Sequence, residues 1–338
     1  MRLANASFVL LLISYFYFRV DLFSGNKFIF IYYLFLLIGT TSGMFYGTAD
    51  SIFFTSLLIF IFESYLCLFK AKENKVYLIF SSTLLILTRP HIIIYLPIIL
   101  LGYIIYRILS KNKYILKKEK FILLYLLSGL IIAALFNYPR FSIGKYSLSY
   151  TDKSGTYKTS DPNFNWIQWH YYSQMIGNNN RLGFFSPMVH WEEVAEYKLL
   201  NNAVTLPKSI SEYITGNPLF ILRRIPTSII ESLIISLRYV GFLLLLLPYY
   251  IYKKFDNRDL DFNMLFALII LVAIIIWSAI FPHLVQHRWY FPFYVMLIFI
   301  FSNDSNKLQL NPIMFINMIL LNTITLWALW KEKLFYSI

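Results

Sequence analysis

Cysteine and charged residues are both scarce in this 338-residue sequence. Its single cysteine, Cys67, excludes an intrachain disulfide and any cysteine-based metal site. Charged residues make up 14% of the chain, whereas about 25% is usual in soluble domains. The sequence also lacks a Gly-rich phosphate loop, a G-x-S-x-G elbow and an H-E-x-x-H zinc pair. These absences argue against soluble nucleotide chemistry.

Apolar residues are abundant instead: 58% of the chain is hydrophobic and 20% is aromatic. A run of about 20 apolar residues crosses the roughly 30 Å hydrocarbon core of a bilayer, and the backbone of such a run must be helical there. The sequence therefore predicts an all-α, polytopic transmembrane helical bundle with about ten spans. The predicted spans are 3–18, 28–46, 50–69, 76–88, 90–108, 121–138, 236–252, 262–281, 288–302 and 312–330.

The formal charge of +13 is concentrated in short loops between apolar runs. One alternating set of loops carries about fifteen Lys and Arg residues, whereas the opposite short loops carry only Arg89 and Arg288. Cytoplasmic loops are the basic ones, so we predict a plasma- or inner-membrane protein whose loop 139–235 and both termini are extracytoplasmic. This loop would separate an N-terminal bundle, 1–138, from a C-terminal bundle, 236–338. No nucleic-acid partner is expected.

The loop 139–235 has the composition of an extracytoplasmic, α-rich domain. Turn-forming Gly, Asn and Pro residues interrupt its first half. Its second half predicts two short helices, from Trp191 to Tyr197 and from Ser209 to Tyr213. Ser209 is placed to cap the second helix, because Glu212 follows three residues later.

Three carboxylates at the predicted outer face are candidates for acid–base catalysis: Asp50, Glu192 and Glu193. Ionisable groups at membrane depth are costly and mark functional sites. Asp50 has an alternative role, because an acid in the first turn of a helix complements the helix dipole. The adjacent Glu192 and Glu193 have the alternative of forming a solvated helix face.

Cationic and polar residues at the same face are candidates for binding a donor phosphate. Arginine binds phosphate with two parallel hydrogen bonds. Arg89 has an alternative role, in which its long side chain reaches the lipid headgroups. The segment around Trp289 could instead anchor the protein at the membrane interface. The predicted phosphate-binding residues are Arg89, His91, His287, Arg288 and Tyr290.

Other ionisable residues predict structural roles. His283 and His287 are four apart and could share a helical face. Pro282 disfavours that helix and no third ligand is evident, so no metal site is predicted. Glu63 lies within a predicted span, where we expect it to pair with another side chain inside the bundle.

Four short stretches follow one another along the membrane part. They are Arg2-Leu3 with Phe23-Ser24-Gly25-Asn26-Lys27, Phe45-Tyr46-Gly47-Thr48-Ala49-Asp50-Ser51, Leu87-Thr88-Arg89-Pro90, and His287-Arg288-Trp289-Tyr290-Phe291-Pro292. Their order and predicted topology resemble the GT-C superfamily of multi-spanning glycosyltransferases, which includes dolichyl-phosphate-mannose protein mannosyltransferases and bacterial aminoarabinose lipid A transferases.

The resemblance implies sugar transfer from a polyprenyl-phosphate donor to a glycan, lipid or protein acceptor at the outer membrane face. A carboxylate would act as general base, and Arg89 and Arg288 would steady the departing phosphate. A divalent cation could assist, although the sequence offers no clear ligand set. The family's first span and acidic first loop have no counterpart here. The expectation is therefore an N-terminally truncated copy, or a relative that lost activity or uses another base.

Two other functions remain open on the sequence alone. An O-antigen-type polysaccharide polymerase would also combine many spans, a large outer loop and arginines that contact a lipid-linked glycan. A non-enzymatic transporter or flippase of lipid-linked or anionic solutes should show repeats and matching broken spans. The sequence shows one such break, at Thr88–His91, and no counterpart.

Overall fold

The computed structural model describes residues 2–40, 50–88, 92–110, 116–144, 168, 191–200, 210–216, 218–257, 260–280, 287–306 and 310–336. Across these residues the chain is 91% helix and contains no strand. The predicted all-α class is therefore confirmed for the described part of the chain.

The described residues form thirteen α-helices. A 3-10 turn, Val20–Leu22, follows the first helix, and a π-helical turn, Leu66–Lys70, extends the third. The helices are α1 Arg2–Phe18, α2 Lys27–Thr40, α3 Asp50–Tyr65, α4 Lys75–Thr88, α5 Ile92–Ser110, α6 Leu116–Phe141, α7 Trp191–Leu200, α8 Ile210–Gly216, α9 Pro218–Val240, α10 Leu243–Asp256, α11 Phe262–Ile280, α12 His287–Asp304 and α13 Asn311–Tyr336.

Within the described residues, three segments are long and apolar enough to cross a membrane: Asp50–Lys70, Lys118–Phe141 and Phe262–Ala279. A fourth span results if Ile225–Val240 and Leu243–Asp256 count as one segment bent by 104°. The fold is thus compatible with an integral membrane protein, whereas the predicted ten-span bundle is not confirmed. Helix α4 illustrates the reason: its 14 residues are only about 21 Å long, which is shorter than the roughly 30 Å hydrocarbon core of a bilayer.

The predicted span 236–252 is not one continuous helix. Helix α9 ends at Val240, and Gly241 adopts a left-handed φ of +60° before α10 begins. A Cβ atom at Gly241 would lie 2.0 Å from Oδ1 of Asn317, so the position requires glycine. The Asn317 amide stabilises the break, because its Oδ1 accepts from the Phe242 N–H at 2.9 Å and its Nδ2 donates to the Val240 carbonyl at 3.0 Å.

The chain divides into two compact units. The first comprises Met1–Thr151, Ile235–Ala273 and His287–Ile338, and the second comprises Asp152–Ile234 and Ile274–Gln286. Most described helices therefore belong to the first unit, whereas α7, α8 and most of α9 belong to the second.

One end of the first unit collects the helix ends that the charge pattern predicts to be cytoplasmic. Arg19, after α1, bonds to Glu63 of α3, and Tyr106 of α5 donates to the Leu260 carbonyl just before α11 at 2.9 Å. The Ser24 N–H, just before α2, donates to Oδ1 of Asn303 in α12 at 3.2 Å. We call this the basic end: the ends of α1, α3, α5, α10 and α12 and the starts of α2, α4, α6 and α11.

Aromatic rings fill the core of the first unit. Phe62 of α3 lies with its ring centroid 4.9 Å from that of Phe16 and 4.8 Å from that of Phe299, both in edge-to-face geometry. Phe266 of α11 and Phe30 of α2 complete the cluster. Such ring pairs contribute about 1 kcal/mol each beyond their burial, so this cluster fixes α1, α2, α3, α11 and α12 against one another.

The second unit contains both short helices that the loop sequence predicts. They extend a little further than expected, as Trp191–Leu200 and Ile210–Gly216. Helix α7 is two-sided, because Val194 and Ala195 are buried and Glu192 and Glu193 are exposed. Its buried face gives this helix a packing role within the second unit.

Candidate functional site

Tyr95 of α5 joins the first turns of three helices at the end of the first unit opposite the basic end. Its buried hydroxyl donates to the Trp289 carbonyl of α12 at 2.7 Å. Its ring centroid lies 5.4 Å from that of Phe53 in α3 and 5.7 Å from that of Phe293 in α12. Phe54 of α3 also contacts Phe291 of α12, at 5.9 Å between centroids. Helices α3, α5 and α12 therefore begin close together.

Three neighbouring helix starts create a positive electrostatic environment. The first four N–H groups of each helix lack partners within that helix, and the aligned peptide dipoles add partial positive charge there. Phosphates bind to such helix starts for both reasons. The starts at Asp50, Ile92 and His287 therefore each offer backbone donors to an anion.

Asp50 is the first residue of α3, and it is buried, with 2% of its surface exposed. The polar residues next to it lie between α1 and α3. The Ser51 hydroxyl donates to Oδ1 of Asn5 at 2.7 Å, and the Thr55 hydroxyl donates to the Phe8 carbonyl at 3.2 Å. A carboxylate here both complements the α3 dipole and lies where the three helix starts meet.

The predicted phosphate-binding residues flank the same helix starts. Arg89 and His91 immediately precede α5 and lie outside the described residues. His287 and Arg288 are the first two residues of α12, and nothing is described of their side chains. Tyr290 is buried, and its ring stacks 5.8 Å from that of Tyr294. Their phosphate-binding role stays a prediction.

The other two predicted catalytic acids, Glu192 and Glu193, lie in the first turn of α7. They belong to the second unit, whereas Asp50 belongs to the first. Both are exposed and complement the α7 dipole. Their catalytic role also stays a prediction.

Metal ligands do not cluster among the residues that the structure describes. No group of three or more His, Cys, Asp and Glu side chains that could hold a metal ion occurs there. His283, one of the two histidines considered from the sequence, lies outside the described residues.

A buried ion pair at the basic end confirms the expected internal pairing of Glu63. The Arg19 guanidinium donates to both carboxylate oxygens of Glu63, at 2.8 Å each. The Tyr15 hydroxyl and the Asn74 N–H donate to the same carboxylate at 3.0 and 2.6 Å. The hydrogen bond to Glu63 raises the pKa of Arg19. This arrangement holds α1, α3 and the start of α4 together.

Two further charge clusters at the basic end were not predicted from the sequence. Lys254 of α10 lies 2.8 Å from Asp304 and 2.8 Å from Asp261. At the surface, Lys72 lies 2.7 Å from Asp21, and that hydrogen bond lowers the pKa of the Asp21 carboxyl. Every member lies beside a loop that the charge pattern predicts to be cytoplasmic. The charge pattern predicts which end of the bundle holds these residues but not which of them pair.

A largely apolar cavity of about 280 Å³ lies in the first unit between α3, α5, α6 and α11. Leu57, Leu96 and Leu126 are among its apolar lining residues. Tyr103 and Glu119 line it towards the basic end. The cavity can hold a hydrocarbon chain with a polar group at one end.

Comparison with known proteins assigns no family to this site. No family model, curated protein or solved structure matches the chain. The resemblance of the sequence motifs to the GT-C superfamily therefore stays a prediction.

Proposed function

We propose that this chain is a membrane glycosyltransferase that moves a sugar from a polyprenyl-phosphate donor to a glycan, lipid or protein acceptor. The reaction takes place where α3, α5 and α12 begin, at the end of the first unit that the charge pattern predicts to face outwards. The observation that carries the proposal is the meeting of these three helix starts around Tyr95.

The donor phosphate is the group that these helix starts recognise. It carries negative charge in the substrate, and it carries more as the bond to the sugar breaks. Fixed positive charge aimed at that developing charge lowers the barrier. Arg89 lies three residues before Ile92, the first residue of α5, and Arg288 lies in the first turn of α12, so both arginines would strengthen the same contact.

Asp50 is the best-placed base within the first unit. It starts α3 at the same end as Tyr95. It would take the proton from the acceptor hydroxyl or amine while that group attacks the sugar carbon. The bond from the sugar to the phosphate oxygen then breaks, and the polyprenyl phosphate leaves with the bonding electron pair.

Replacement of the two arginines tests the phosphate contact. We expect Arg89→Ala and Arg288→Ala each to lower sugar transfer about 100-fold or more, because each removes charge that stabilises the leaving phosphate. The measurement is transfer from a polyprenyl-phosphate monosaccharide by the purified full chain in proteoliposomes. Arg107→Ala, at the basic end, is the matched control and should retain transfer per folded molecule.

The outcomes separate the proposal from its closest alternative. Full transfer activity in Arg89→Ala and Arg288→Ala would contradict the phosphate contact. Activity only with a diphosphate-linked repeat unit would instead identify a polysaccharide polymerase.

A transporter or flippase is the second candidate, and the break at Gly241 favours it. Broken helices mark the substrate sites of many transporters, and this break adds to the one predicted at Thr88–His91. At Gly241, however, the Asn317 amide already bonds to the Phe242 N–H and the Val240 carbonyl. Movement of a labelled lipid-linked sugar across proteoliposomes without transfer to an acceptor would support the transporter.

A further inference from the structure

The cavity between α3, α5, α6 and α11, which runs from Ile92 at the start of α5 to Tyr103 and Glu119 towards the basic end, has the chemistry of a lipid-chain site. Its volume of about 280 Å³ is roughly twice that of a 150 Å³ engineered cavity that binds benzene. Leu57, Leu96, Leu126 and Ile269 form part of an apolar lining that four helices contribute. Hydrocarbon is favoured over water in such a lining, because water needs several polar partners.

Polar groups of the cavity lie on the side of the basic end. The Tyr103 hydroxyl and the Arg107 guanidinium both donate to Oε1 of Glu119. Ser64 also lines the cavity, and its buried hydroxyl has no hydrogen-bond partner within the described part of the chain. The cavity therefore suits an amphiphile whose polar part lies beside Ser64, Tyr103 and Arg107.

The charge at the polar end of the cavity, beside Tyr103 and Arg107, determines which kind of amphiphile the cavity attracts. Among the described residues, Arg107, Lys118 and Lys120 carry three positive charges on this side of the cavity and Glu119 carries one negative charge, a net charge of +2. Lys118 is half-buried and Lys120 is exposed in the first turns of α6. Clusters of basic residues next to membrane helices attract anionic lipid headgroups.

We propose that this cavity binds one acyl chain of an anionic phospholipid, whose headgroup lies beside Arg107 and the basic residues at the start of α6. The cavity reaches Ile92 at the start of α5, but the proposed headgroup position beside Tyr103 and Arg107 lies at its other end, and the proposal does not depend on the transfer reaction. Hydrogen bonds from Tyr103 and Arg107 to Glu119 join α5 to α6 at the polar end of the cavity. The bound lipid therefore occupies a site between two joined helices.

A photoactivatable lipid tests the site. The full chain is placed in vesicles of phosphatidylcholine with a trace of phosphatidylglycerol that carries a diazirine on one acyl chain. We expect labelling in α5, α6 or α11 at residues that line the cavity. Leu126→Trp fills the cavity and should reduce that labelling about tenfold. Leu127→Trp is the matched control, because the Leu127 side chain, next to Leu126 in the sequence, is 55% exposed and does not line the cavity.

A second pair of variants tests the headgroup. Lys118→Gln with Lys120→Gln should remove the preference for phosphatidylglycerol over an equally labelled phosphatidylcholine. Lys27→Gln with Lys253→Gln changes the charge equally at other helices of the basic end and should preserve the preference. Each variant is compared at equal amounts of monodisperse protein, so a folding failure is seen directly.

Three results would overturn the site. The first is equal labelling of Leu126→Trp and Leu127→Trp. The second is equal labelling by phosphatidylglycerol and phosphatidylcholine in the wild-type chain. The third is loss of the phosphatidylglycerol label to an equimolar polyprenyl phosphate, because the cavity would then belong to a polyprenyl lipid.

Discussion

The two ends of α3 each carry a buried carboxylate, and their surroundings differ. Glu63, near the basic end, has 0% of its surface exposed, and it accepts hydrogen bonds from Arg19, Tyr15 and the Asn74 backbone. Asp50, at the start of the helix, is 2% exposed and lies beside the hydroxyl and amide groups of Ser51 and Asn5.

This difference separates a structural acid from a candidate catalytic acid. A buried carboxylate that forms an ion pair with an arginine joins helices, and its removal leaves a buried charge. A carboxylate at a helix start next to other helix starts lies where an anionic substrate also binds. The same helix therefore carries a structural acid at one end and the proposed catalytic base at the other.

The largest effect on activity is expected from the acid at the start of α3. Asp50→Asn keeps the size and polarity of the side chain but removes the base, so transfer should fall by at least about 100-fold. Transfer is compared per folded molecule, because Asp50→Asn also removes a charge that complements the α3 dipole. Glu63→Gln is the matched variant, and its folded fraction should keep normal transfer. The comparison fails if Asp50→Asn remains active or if Glu63→Gln loses activity without losing stability.

The largest effect on stability is expected at the other end of α3. Glu63→Gln should lower the free energy of unfolding by about 3 kcal/mol, because Arg19 keeps its charge in a mostly buried position. Reversible denaturation in detergent measures this value. The double variant Arg19→Gln with Glu63→Gln should recover part of the loss. Surface ion pairs contribute less than about 1 kcal/mol to the free energy of unfolding. A loss of that size in Glu63→Gln would contradict the assignment of Glu63 and Arg19 as a stabilising buried pair.

Two buried tyrosines give a smaller and sharper test. Tyr95→Phe removes the bond to the Trp289 carbonyl at 2.7 Å. Tyr33→Phe removes a bond to the Met314 carbonyl, also 2.7 Å long, and the bond that its hydroxyl accepts from Nδ2 of Asn317 at 3.0 Å. Tyr95→Phe should lose about 1 kcal/mol of stability, and Tyr33→Phe at least as much. Only Tyr95→Phe should also reduce transfer, because Tyr95 fixes the start of α12. Equal transfer by the two variants would show that the Tyr95 contact is purely structural.

The smallest effect concerns the surface pair of Asp21 and Lys72. The pKa of Asp21 is lowered by its hydrogen bond to Lys72, so the pair stabilises the fold above the unfolded pKa of about 3.9. This contribution is lost as pH falls through the lower, folded pKa. Lys72→Gln should therefore melt slightly below wild type at pH 7, and the difference should shrink towards pH 3. A difference that grows in acid would contradict the pairing.

Hydropathy and charge pattern predicted most helices of the first unit but not the break at Gly241. The apolar run from Leu243 to Leu247 reads as the middle of a span, and hydropathy does not report a left-handed glycine. The partner that stabilises the break, Asn317, lies 75 residues beyond Phe242. Such a contact depends on tertiary packing and has no local sequence signal.

The candidate site was only partly visible in the sequence. Asp50 stands out as an acid between apolar runs, and Glu63 as an acid inside one. Asn5 and Ser51 were missed, because single small polar residues are common in apolar helices and the pair meets only when α1 packs on α3. Tyr95 was missed because its hydroxyl bonds to a backbone carbonyl, which no sequence pattern marks.

The most direct test of the central claim is to locate the bound donor. A polyprenyl-phosphate sugar with a photoactivatable group next to the phosphate is bound to the full chain in vesicles, and the labelled peptides are identified. The account predicts labelling at the first turns of α3, α5 and α12, lost in Arg288→Ala. Labelling confined to the basic end, between residues 103 and 126, would contradict it.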